Sequence, residues 1–458
     1  MKERESFGSR LGFLLVSAGC AIGIGNVWRF PYITGKYGGA VFVLFYLFFL
    51  VILGWPVMTM ELAVGRGSKL SAGSGMQKLA GDNGKKWGWF KYWAYIGNFV
   101  LMMFYTTVAG WMLSYVYEMA IGTFEGVSMK GAANIFGELM NRPFYMIFWM
   151  ALAIILGFFA VGRGLQNGVE KITKVMMILL FLLMTVLAVR SLFLSGGGEG
   201  LKFYLLPDVK RATESGIWSI VSAAMGQAFF TLSVGIGSIA IFGSYIGREH
   251  SLAKESITII LLDTFVAIMS GLIIFPACFA YNVKPDAGPS LIFVTLPEVF
   301  ERMPGGRVWG TLFFVFLCFA SMSTVIAVFE NIVSMIMDDF GVSRTKSVII
   351  NAIAMLILSI PCPLGFNVLS GFTPLGAGSS IMDLEDFIVS NNMLPLGCIV
   401  FIIFCTTRFG WGMKNYLAEV NEGSGIKMSK YLGWYLKFVL PLLVFVLVVL
   451  GYIDVFGK

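Results

Sequence analysis

The chain has 458 residues, of which 57% are hydrophobic and only 13% are charged, and its formal net charge at pH 7 is +7. Because soluble proteins carry roughly 25% charged residues, this composition excludes an ordinary soluble fold and predicts an all-α, polytopic membrane protein. The six cysteines are scattered without metal-ligand spacing, and His250 is the only histidine. A disulfide framework, a zinc site and a histidine-based catalytic centre are therefore not expected. A positive balance is typical of cytoplasmic loops and does not indicate nucleic-acid binding.

Eleven apolar segments are long enough to cross a bilayer, which takes about 20 residues. We predict spans 1 to 11 at about 10–32, 39–65, 88–121, 143–162, 168–194, 214–245, 253–283, 308–339, 346–366, 385–408 and 431–454. No connection between them is large enough for a separate domain. The chain, 1–458, is therefore expected to form a single transmembrane domain.

Lysine and arginine residues set the expected orientation. Arg4 and Arg10 precede span 1, and positively charged groups follow spans 2, 4, 6, 8 and 10, whereas the intervening connections are balanced or acidic. Positively charged loops stay on the cytoplasmic side of the membrane. The N-terminus is therefore expected to be cytoplasmic, and an odd number of spans places the C-terminus outside.

Span 1 is interrupted by the stretch from Gly19 to Pro31, GCAIGIGNVWRFP. Its three glycines each cost about 1 kcal/mol of helix propensity relative to alanine, and Asn26 and Arg29 stand where a lipid-facing helix carries neither. Unwound backbone is tolerated inside a membrane only where protein or a water-filled cavity satisfies its polar groups. We therefore predict a discontinuous helix whose freed carbonyls suit a cation and whose second half presents its N-terminus to an anionic group.

Span 6 repeats this interruption in the stretch FTLSVGIG, from Phe230 to Gly237. Five spans separate the two breaks, and an odd offset reverses the direction in which the chain crosses the membrane. This predicts an inverted repeat of spans 1–5 (about 10–194) and spans 6–10 (about 214–408), with the substrate between the two broken helices and span 11 (about 431–454) outside the repeat. The alternative is that the glycines only allow close helix packing. Two breaks at matched positions of the two halves argue against this alternative.

These features resemble the neurotransmitter:sodium symporters, a family of secondary transporters that includes bacterial amino-acid carriers. The resembling stretches are Ser9-Arg10-Leu11-Gly12, GCAIGIGNVWRFP, Gly38-Gly39, ELAVGR at 61–66, QAFFTLSVGIG at 227–237, ASMSTVIA at 320–327 and Asp386-Phe387. They extend to about residue 410, and eleven spans are similar to a bacterial subgroup of the family. The resemblance implies the five-plus-five, leucine-transporter-like fold, location in a bacterial inner membrane, and sodium-coupled uptake of amino acids by alternating access, without enzymatic activity.

The family pattern implies two sodium sites. The first would use the Ala21 carbonyl, the Asn26 side chain, Thr231 and Asp263, completed by the carboxylate of the amino-acid substrate. The second would use the carbonyls of Gly19, Ile22 and Ala320 and the hydroxyls of Ser323 and Thr324. Hard oxygen ligands of this kind suit sodium, and a shared carboxylate couples ion to substrate. For Ser323 and Thr324 the alternative is ordinary hydrogen bonding to the preceding turn of their own helix.

Asp263 lies in the apolar segment LLDTFVAIM of span 7. A charge in mid-membrane costs from about 2.5 kcal/mol upward, so such residues usually face a cavity and a partner. In animal relatives a chloride ion balances charge near this position, and the serine that helps to hold it stands where this chain has Ala267. We therefore expect Asp263, with Tyr46 and Gln227 in the same region, to replace chloride. The alternative is a protonated aspartic acid bonded to a neighbouring helix.

The resemblance also implies a substrate pocket. Its expected lining residues are Ala21, Gly25, Tyr105, Phe230, Thr231, Ser233, Ile236, Ser323 and Val328. Backbone amides near Gly25 and the Tyr105 hydroxyl suit a carboxylate. Ile236 and Val328 make the side-chain end apolar, which favours a neutral hydrophobic or aromatic amino acid.

Two gates are expected on the same basis. Arg29 and Asp386 would pair on the outer side, and Arg4 would pair with Asp338 on the inner side. Ser244 and Tyr245 are expected near the inner pair, and Phe7 stands where the family usually has tryptophan, which predicts a weaker latch. Glu330 is expected to face solvent in the cytoplasmic vestibule, the alternative being an inner polar or proton-sensitive contact.

Two other classes of function stay open at this point. One is a related broken-helix carrier that moves a different solute or is driven by protons, for which Glu330 and Asp263 would serve. The other is a non-transporting channel or sensor, although the sequence contains neither a continuous polar pore pattern nor a soluble output domain. The exact amino acid, the sodium stoichiometry and the oligomeric state do not follow from the sequence.

Overall fold

The computed structural model describes residues 4–281, 283 and 290–456. Within these residues, nine single helices are long and apolar enough to cross a membrane. They correspond to spans 2 to 5 and 7 to 11, and they run Ala40–Ser68, Phe90–Ile121, Pro143–Gly162, Leu165–Leu192, Leu252–Ala280, Gly306–Phe340, Arg344–Leu364, Ile381–Thr406 and Leu432–Ile453. The predicted polytopic, all-α fold is confirmed.

Span 1 is a pair of helices, Arg10–Ala21 (span 1a) and Gly25–Lys36 (span 1b), whose axes are bent by 55°. Span 1a ends because Ile22 adopts an extended conformation, with φ −69° and ψ 102°. The first turn of span 1b, Gly25–Arg29, is π-helical. Span 1 is therefore discontinuous at the predicted place.

Span 6 is also divided, into the helices Ile217–Leu232 (span 6a) and Ser238–Tyr245 (span 6b). Between them Ser233 has φ 51°, Gly235 has φ 107° and Gly237 has φ 75°. Positive φ is strained for residues with a side chain and free for glycine, so the two glycines permit this connection. Ser233 is one of only two described non-glycine residues with positive φ.

Span 8 is the most enclosed of the long helices, with 83% of its apolar window buried. It packs against span 1a and against spans 3, 4 and 5. Span 11 lies at the edge of the bundle, where it contacts spans 6a and 10. The broken helices are thus inside the bundle, next to its most buried element.

Short helices lie in the connections between spans: Ala72–Leu79, Gly84–Trp87, Met129–Met140, Gly197–Leu205, Val209–Ser215, Leu296–Glu301 and Met413–Val420. The last of these ties the ends of several spans together. Its Glu419 accepts a hydrogen bond from Arg66 Nε, at the end of span 2, at 2.6 Å. Arg248, which follows span 6b, lies 3.0 Å from the same carboxylate.

Candidate functional site

A cluster of five oxygen atoms lies between the break in span 1 and the middle of span 8. Thr324 Oγ1 donates to the carbonyls of Gly19 and Ile22, each at 3.1 Å. Ser323 Oγ lies 2.9 Å from the Ala320 carbonyl and 3.4 Å from that of Ile22. The structure thus brings together all the atoms predicted for the second sodium site. Three carbonyls and two hydroxyls form a neutral, hard-oxygen donor set that fits a small monovalent cation.

A second cluster surrounds the buried carboxylate of Asp263. Asn26 Nδ2 donates to Asp263 Oδ1 at 2.8 Å and to its carbonyl at 3.1 Å. Thr231 Oγ1 lies 3.1 and 3.2 Å from the two carboxylate oxygens, and the Tyr46 hydroxyl lies 3.4 Å away. Asp263 therefore bridges Asn26 of span 1b, Tyr46 of span 2 and Thr231 of span 6a, and all four side chains are buried.

The donor set of this second cluster also fits sodium. Asn26 Oδ1 accepts from the Gly23 N–H at 3.1 Å, and an amide oxygen has a second lone pair that remains available to a cation. Gln227 Nε2 donates to the Gly25 carbonyl at 2.8 Å, whereas its Oε1 has no hydrogen-bond partner among the described residues. Two of the residues predicted for the first sodium site, Asn26 and Thr231, thus contact a third, Asp263, and Ala21 lines the adjacent cavity.

A small cavity of about 10 Å³ lies between the two broken helices. Its lining residues are Ala21, Gly23, Gly25, Leu101, Tyr105, Phe230, Ser233, Thr324 and Leu394. This volume is room for about one water molecule, so a substrate would have to displace side chains such as Phe230. Five of the nine predicted pocket residues line the cavity: Ala21, Gly25, Tyr105, Phe230 and Ser233.

The other four predicted pocket residues are buried but do not line this cavity. The hydroxyls of Thr231 and Ser323 face the two oxygen clusters instead. Ile236 packs towards span 3, because a Cβ built on Gly97 would stand 2.5 Å from Ile236 Cγ2. Val328 lies one helical turn beyond Thr324 on span 8.

Close packing explains why glycine stands at the break in span 1. A Cβ on Gly23 would lie 2.2 Å from the Tyr105 hydroxyl oxygen and 2.6 Å from Thr324 Oγ1. The same Tyr105 oxygen accepts the Ile24 N–H at 3.0 Å. The missing side chain thus lets the Tyr105 hydroxyl reach the unwound backbone beside the cavity.

Glu61, in the ELAVGR stretch of span 2, is a site residue to which the sequence analysis gave no role. It is completely buried, and it accepts hydrogen bonds from the backbone N–H of Gly235 and, at 3.3 Å, of Ile239. A buried carboxylate is costly unless it is hydrogen-bonded. Its position inside an apolar span was the signal that could have marked it as a partner for unwound backbone.

The expected outer pair is not formed in this structure. The Arg29 guanidinium carbon lies 4.1 Å from the centre of the Phe230 ring, and Asp386 accepts from Ser390 Oγ at 2.6 Å. No ion pair joins Arg29 to Asp386 within the part of the chain that is described. Cation–π stacking on an aromatic face holds Arg29 over Phe230 instead.

The structure brings together the residues expected at the inner latch. Arg4 Nη1 lies 2.5 Å from Asp338 Oδ1, Arg4 Nε donates to Ser244 Oγ at 3.2 Å, and the guanidinium stacks on the Tyr245 ring at 4.9 Å. Burial opposes the charge of Arg4, but Tyr245 and Asp338 raise the pKa of its guanidinium above the ordinary value. Phe7 contacts the Tyr245 ring at 5.8 Å.

The expectation that Glu330 faces solvent is wrong. Glu330 is completely buried and pairs with both Nη atoms of Arg344, at 2.6 and 2.9 Å. The Tyr245 hydroxyl donates to the same carboxylate at 2.7 Å. Arg344, at the start of span 9, folds back onto span 8 and provides the partner that makes burial of this carboxylate tolerable. Glu330 thus makes the inner polar contact that was the alternative.

Comparison with known proteins identifies the family. The model of the sodium:neurotransmitter symporter family matches residues 4–124 and 129–456. An uncharacterized sodium-dependent transporter, YhdH of Bacillus subtilis, is 32% identical over 97% of this chain and 98% of its own length. The sodium-dependent serotonin transporter of Drosophila melanogaster is 24% identical over all of this chain and 78% of its own length.

A solved structure supports the same assignment. The crystal structure of MhsT in complex with L-phenylalanine has a TM-score of 0.87 and 35% sequence identity, and the match covers 98% of this chain and all of that chain. The predicted leucine-transporter-like fold is therefore confirmed, and the chain resembles transporters rather than enzymes. This chain belongs to the sodium:neurotransmitter symporter family.

Proposed function

We propose that this chain imports neutral hydrophobic or aromatic amino acids together with sodium ions, by alternating access and without a requirement for chloride. The observation that carries the proposal is the convergence of two oxygen clusters on the break in span 1. Thr324 contacts carbonyls freed by that break, and Asn26, just beyond it, contacts Asp263. Each cluster has the hard oxygen donors that sodium prefers.

The adjacent cavity has the chemistry of an amino-acid site. One end is polar, because it holds the Tyr105 hydroxyl and the start of span 1b, where backbone N–H groups and the helix dipole favour a carboxylate. The other lining groups include the apolar side chains of Leu101, Phe230 and Leu394. The similarity to MhsT, which was solved with L-phenylalanine, supports an amino acid with an apolar side chain as the substrate.

Coupling between sodium and substrate follows from the position of Asn26. In the proposed complex the substrate carboxylate completes the first sodium site, so each ligand contributes to binding of the other. Each sodium ion that moves down a potential of 100 mV contributes up to about 2.3 kcal/mol. Two sodium ions would therefore support steep accumulation of substrate inside the cell.

Chloride independence is proposed because a protein carboxylate already supplies the negative charge. Asp263 lies within hydrogen-bonding distance of Tyr46, and the position of the chloride-binding serine in animal relatives is the buried Ala267. An additional anion beside Asp263 would be repelled at short range. The Asp263 cluster therefore favours sodium binding with a fixed counter-charge.

The topology is part of the proposal. The single domain would lie in a bacterial inner membrane with its N-terminus in the cytoplasm and its C-terminus outside, because positive loops remain inside. Spans 1–5 and 6–10 would be inverted repeats, with spans 1, 2, 6 and 7 rocking against the rest. The positions of Arg4 and Asp338 at one end of the bundle suit an inner latch for this movement.

Binding of a panel of radiolabelled amino acids to the purified protein tests the proposal. Sodium would be replaced by potassium, and chloride by gluconate, in separate arms. We expect tight, sodium-dependent and chloride-independent binding of a hydrophobic or aromatic amino acid. Binding that ignores sodium would overturn the sodium coupling, and binding that needs both ions would overturn the role given to Asp263.

A further inference from the structure

Asn98 of span 3 is a completely buried amide to which neither the motifs nor the ion sites give a role. Its amide forms hydrogen bonds to three other elements and to its own helix. Its Nδ2 donates to the carbonyls of Ala94, at 2.7 Å, and Ile236, at 2.9 Å. Its Oδ1 accepts from Ser238 Oγ at 2.9 Å and from Asn331 Nδ2 at 3.0 Å.

Asn98 therefore joins span 3 to the unwound part of span 6, to span 6b and to span 8. Asn331 is also buried, and its Oδ1 has no partner among the described residues, so its bond to Asn98 is what fixes the orientation of its amide. A buried polar network of this kind specifies one arrangement of the helices that it joins. Ser238 is the first residue of span 6b.

The bond to Ile236 completes the hydrogen bonding of the unwound segment. A break in a membrane helix frees both N–H and C=O groups, and each requires a partner inside the protein. Glu61 accepts from the N–H groups of Gly235 and Ile239. Asn98 donates to the carbonyl of Ile236, between them. Glu61 thus binds N–H groups of the unwound segment, and Asn98 binds a carbonyl group of the same segment.

The register of span 3 relates this contact to the cavity. Gly97, Leu101 and Tyr105 follow one another at intervals of four residues, so they lie on one face of the helix. Leu101 and Tyr105 line the cavity, whereas Gly97 receives the Ile236 side chain, whose Cγ2 lies 2.5 Å from where a Cβ would stand. Ile236 is therefore held at its backbone by Asn98 and at its side chain by Gly97, one helical turn along span 3 from the cavity-lining Leu101.

We propose that Asn98, supported by Ser238 and Asn331, is a positioning residue that holds the unwound segment of span 6 against span 3 and thereby sets the depth of the amino-acid pocket. The inference rests on the proposed function. Asn98 does not line the cavity and acts through Ile236. Under alternating access, Glu61 of span 2 moves together with span 6, whereas Asn98 belongs to the elements against which span 6 moves. The bond from Asn98 to Ile236 therefore crosses the interface at which span 6 moves, and it fixes how closely Ile236 approaches the cavity-lining face of span 3.

Substrate selectivity tests this role. Asn98→Leu keeps the approximate size of the side chain and removes all four bonds. We expect sodium-dependent binding of valine to weaken about tenfold, because the Ile236 carbonyl is left without its partner. Because Ile236 is then no longer held in place and can move away from a large substrate side chain, tryptophan binding should weaken less. The ratio of tryptophan affinity to valine affinity should therefore shift at least about fivefold towards tryptophan. Ser270→Ala is the matched control, because among the described residues the buried Ser270 hydroxyl bonds only its own helix, at the Val266 carbonyl.

Two milder variants decide the question if Asn98→Leu does not fold. Ser238→Ala and Asn331→Leu each remove one support and keep the bond from Asn98 to Ile236, so the same ratio should shift about twofold in the same direction. An unchanged ratio in every variant that folds would overturn the positioning role. If the unmodified protein binds no amino acid in sodium, the proposed function fails, and this inference falls with it.

Discussion

At the scale of single residues, Asp263 gathers side chains from three other spans around one buried carboxylate. We expect Asp263→Asn to raise the sodium concentration for half-maximal amino-acid binding about tenfold or more, because a ligand oxygen remains but its negative charge is lost. Adding Ala267→Ser should make binding increase with chloride. The measurement is substrate binding titrated with sodium in chloride or gluconate.

Glu118→Gln is the control for loss of a buried carboxylate, because Glu118 accepts from Tyr145 at 2.6 Å, outside both oxygen clusters. An unaltered sodium dependence of Asp263→Asn would contradict the assignment of Asp263 to the first sodium site.

Thr324 tests the second oxygen cluster. Thr324→Val preserves the shape of the side chain but removes the hydroxyl that contacts the Gly19 and Ile22 carbonyls. Loss of one partner from a buried polar cluster costs about 1–3 kcal/mol, so apparent sodium affinity should fall by about 5- to 150-fold. Ser321→Ala is the matched control on the same span, because within the described part of the chain its hydroxyl bonds only the Cys318 carbonyl. Equal sodium titrations for the two variants would argue against a second ion at Thr324.

At the scale of elements, spans 2 and 6b approach each other closely enough to require glycine. A Cβ on Gly65 would stand 1.8 Å from the Ala240 carbonyl oxygen, and one on Gly243 would stand 2.3 Å from the Leu62 carbonyl oxygen. In both cases the added Cβ would clash with a backbone atom, which cannot move away by a rotamer change as a side-chain atom can. Small residues at such contacts are what allow membrane helices to pack.

We therefore expect Gly65→Ala to lower the thermal stability of the protein in detergent and to weaken amino-acid binding, because overpacking typically costs about 1–3 kcal/mol. Gly162→Ala serves as the control, since its added Cβ would meet only Val348 Cγ1, at an ordinary 3.8 Å. A Gly65→Ala protein with the melting temperature of the unmodified chain would show that spans 2 and 6b separate without cost.

The element breaks were predictable because glycine spacing is a local property of the sequence. GCAIGIGNVWRFP and FTLSVGIG both contain residues that disfavour an unbroken helix, and each stretch contains the break of its span. The partners of the unwound backbone were not predictable in the same way. Glu61 and Asn98 come from spans 2 and 3, and only the packed bundle places them against span 6.

At the scale of the whole molecule, three ion pairs close one end of the bundle. Arg4 pairs with Asp338, and Arg344 joins Glu330 of span 8 to Glu5 of the N-terminal segment, the latter at 3.0 Å. In the proposed cycle these contacts must break before the inner path opens. These pairs hold closed the end of the bundle that carries Arg4, and the cavity between the broken helices is small.

Arg4→Ala removes one of these pairs and should increase opening to the cytoplasm. We expect the thiol of the buried Cys20, at the end of span 1a, to be modified about tenfold faster in inside-out vesicles, as measured by mass spectrometry of the Cys20 peptide. Arg142→Ala is the control, because its pair with Glu138 is exposed. A Cys20 modification rate that matches the control would exclude Arg4 from the inner latch.

The sequence by itself determined the membrane spans, the two breaks and the oxygen-bearing residues around them, because hydropathy and glycine spacing are local and the family motifs are continuous. Only the tertiary structure decided which way particular side chains face. Glu330 is buried against Arg344, Ile236 packs on Gly97, and Arg29 stacks on Phe230. The physical reason is that the partner of a buried charge, and the space available to an apolar side chain, come from helices distant in sequence, whose approach depends on packing of the whole bundle.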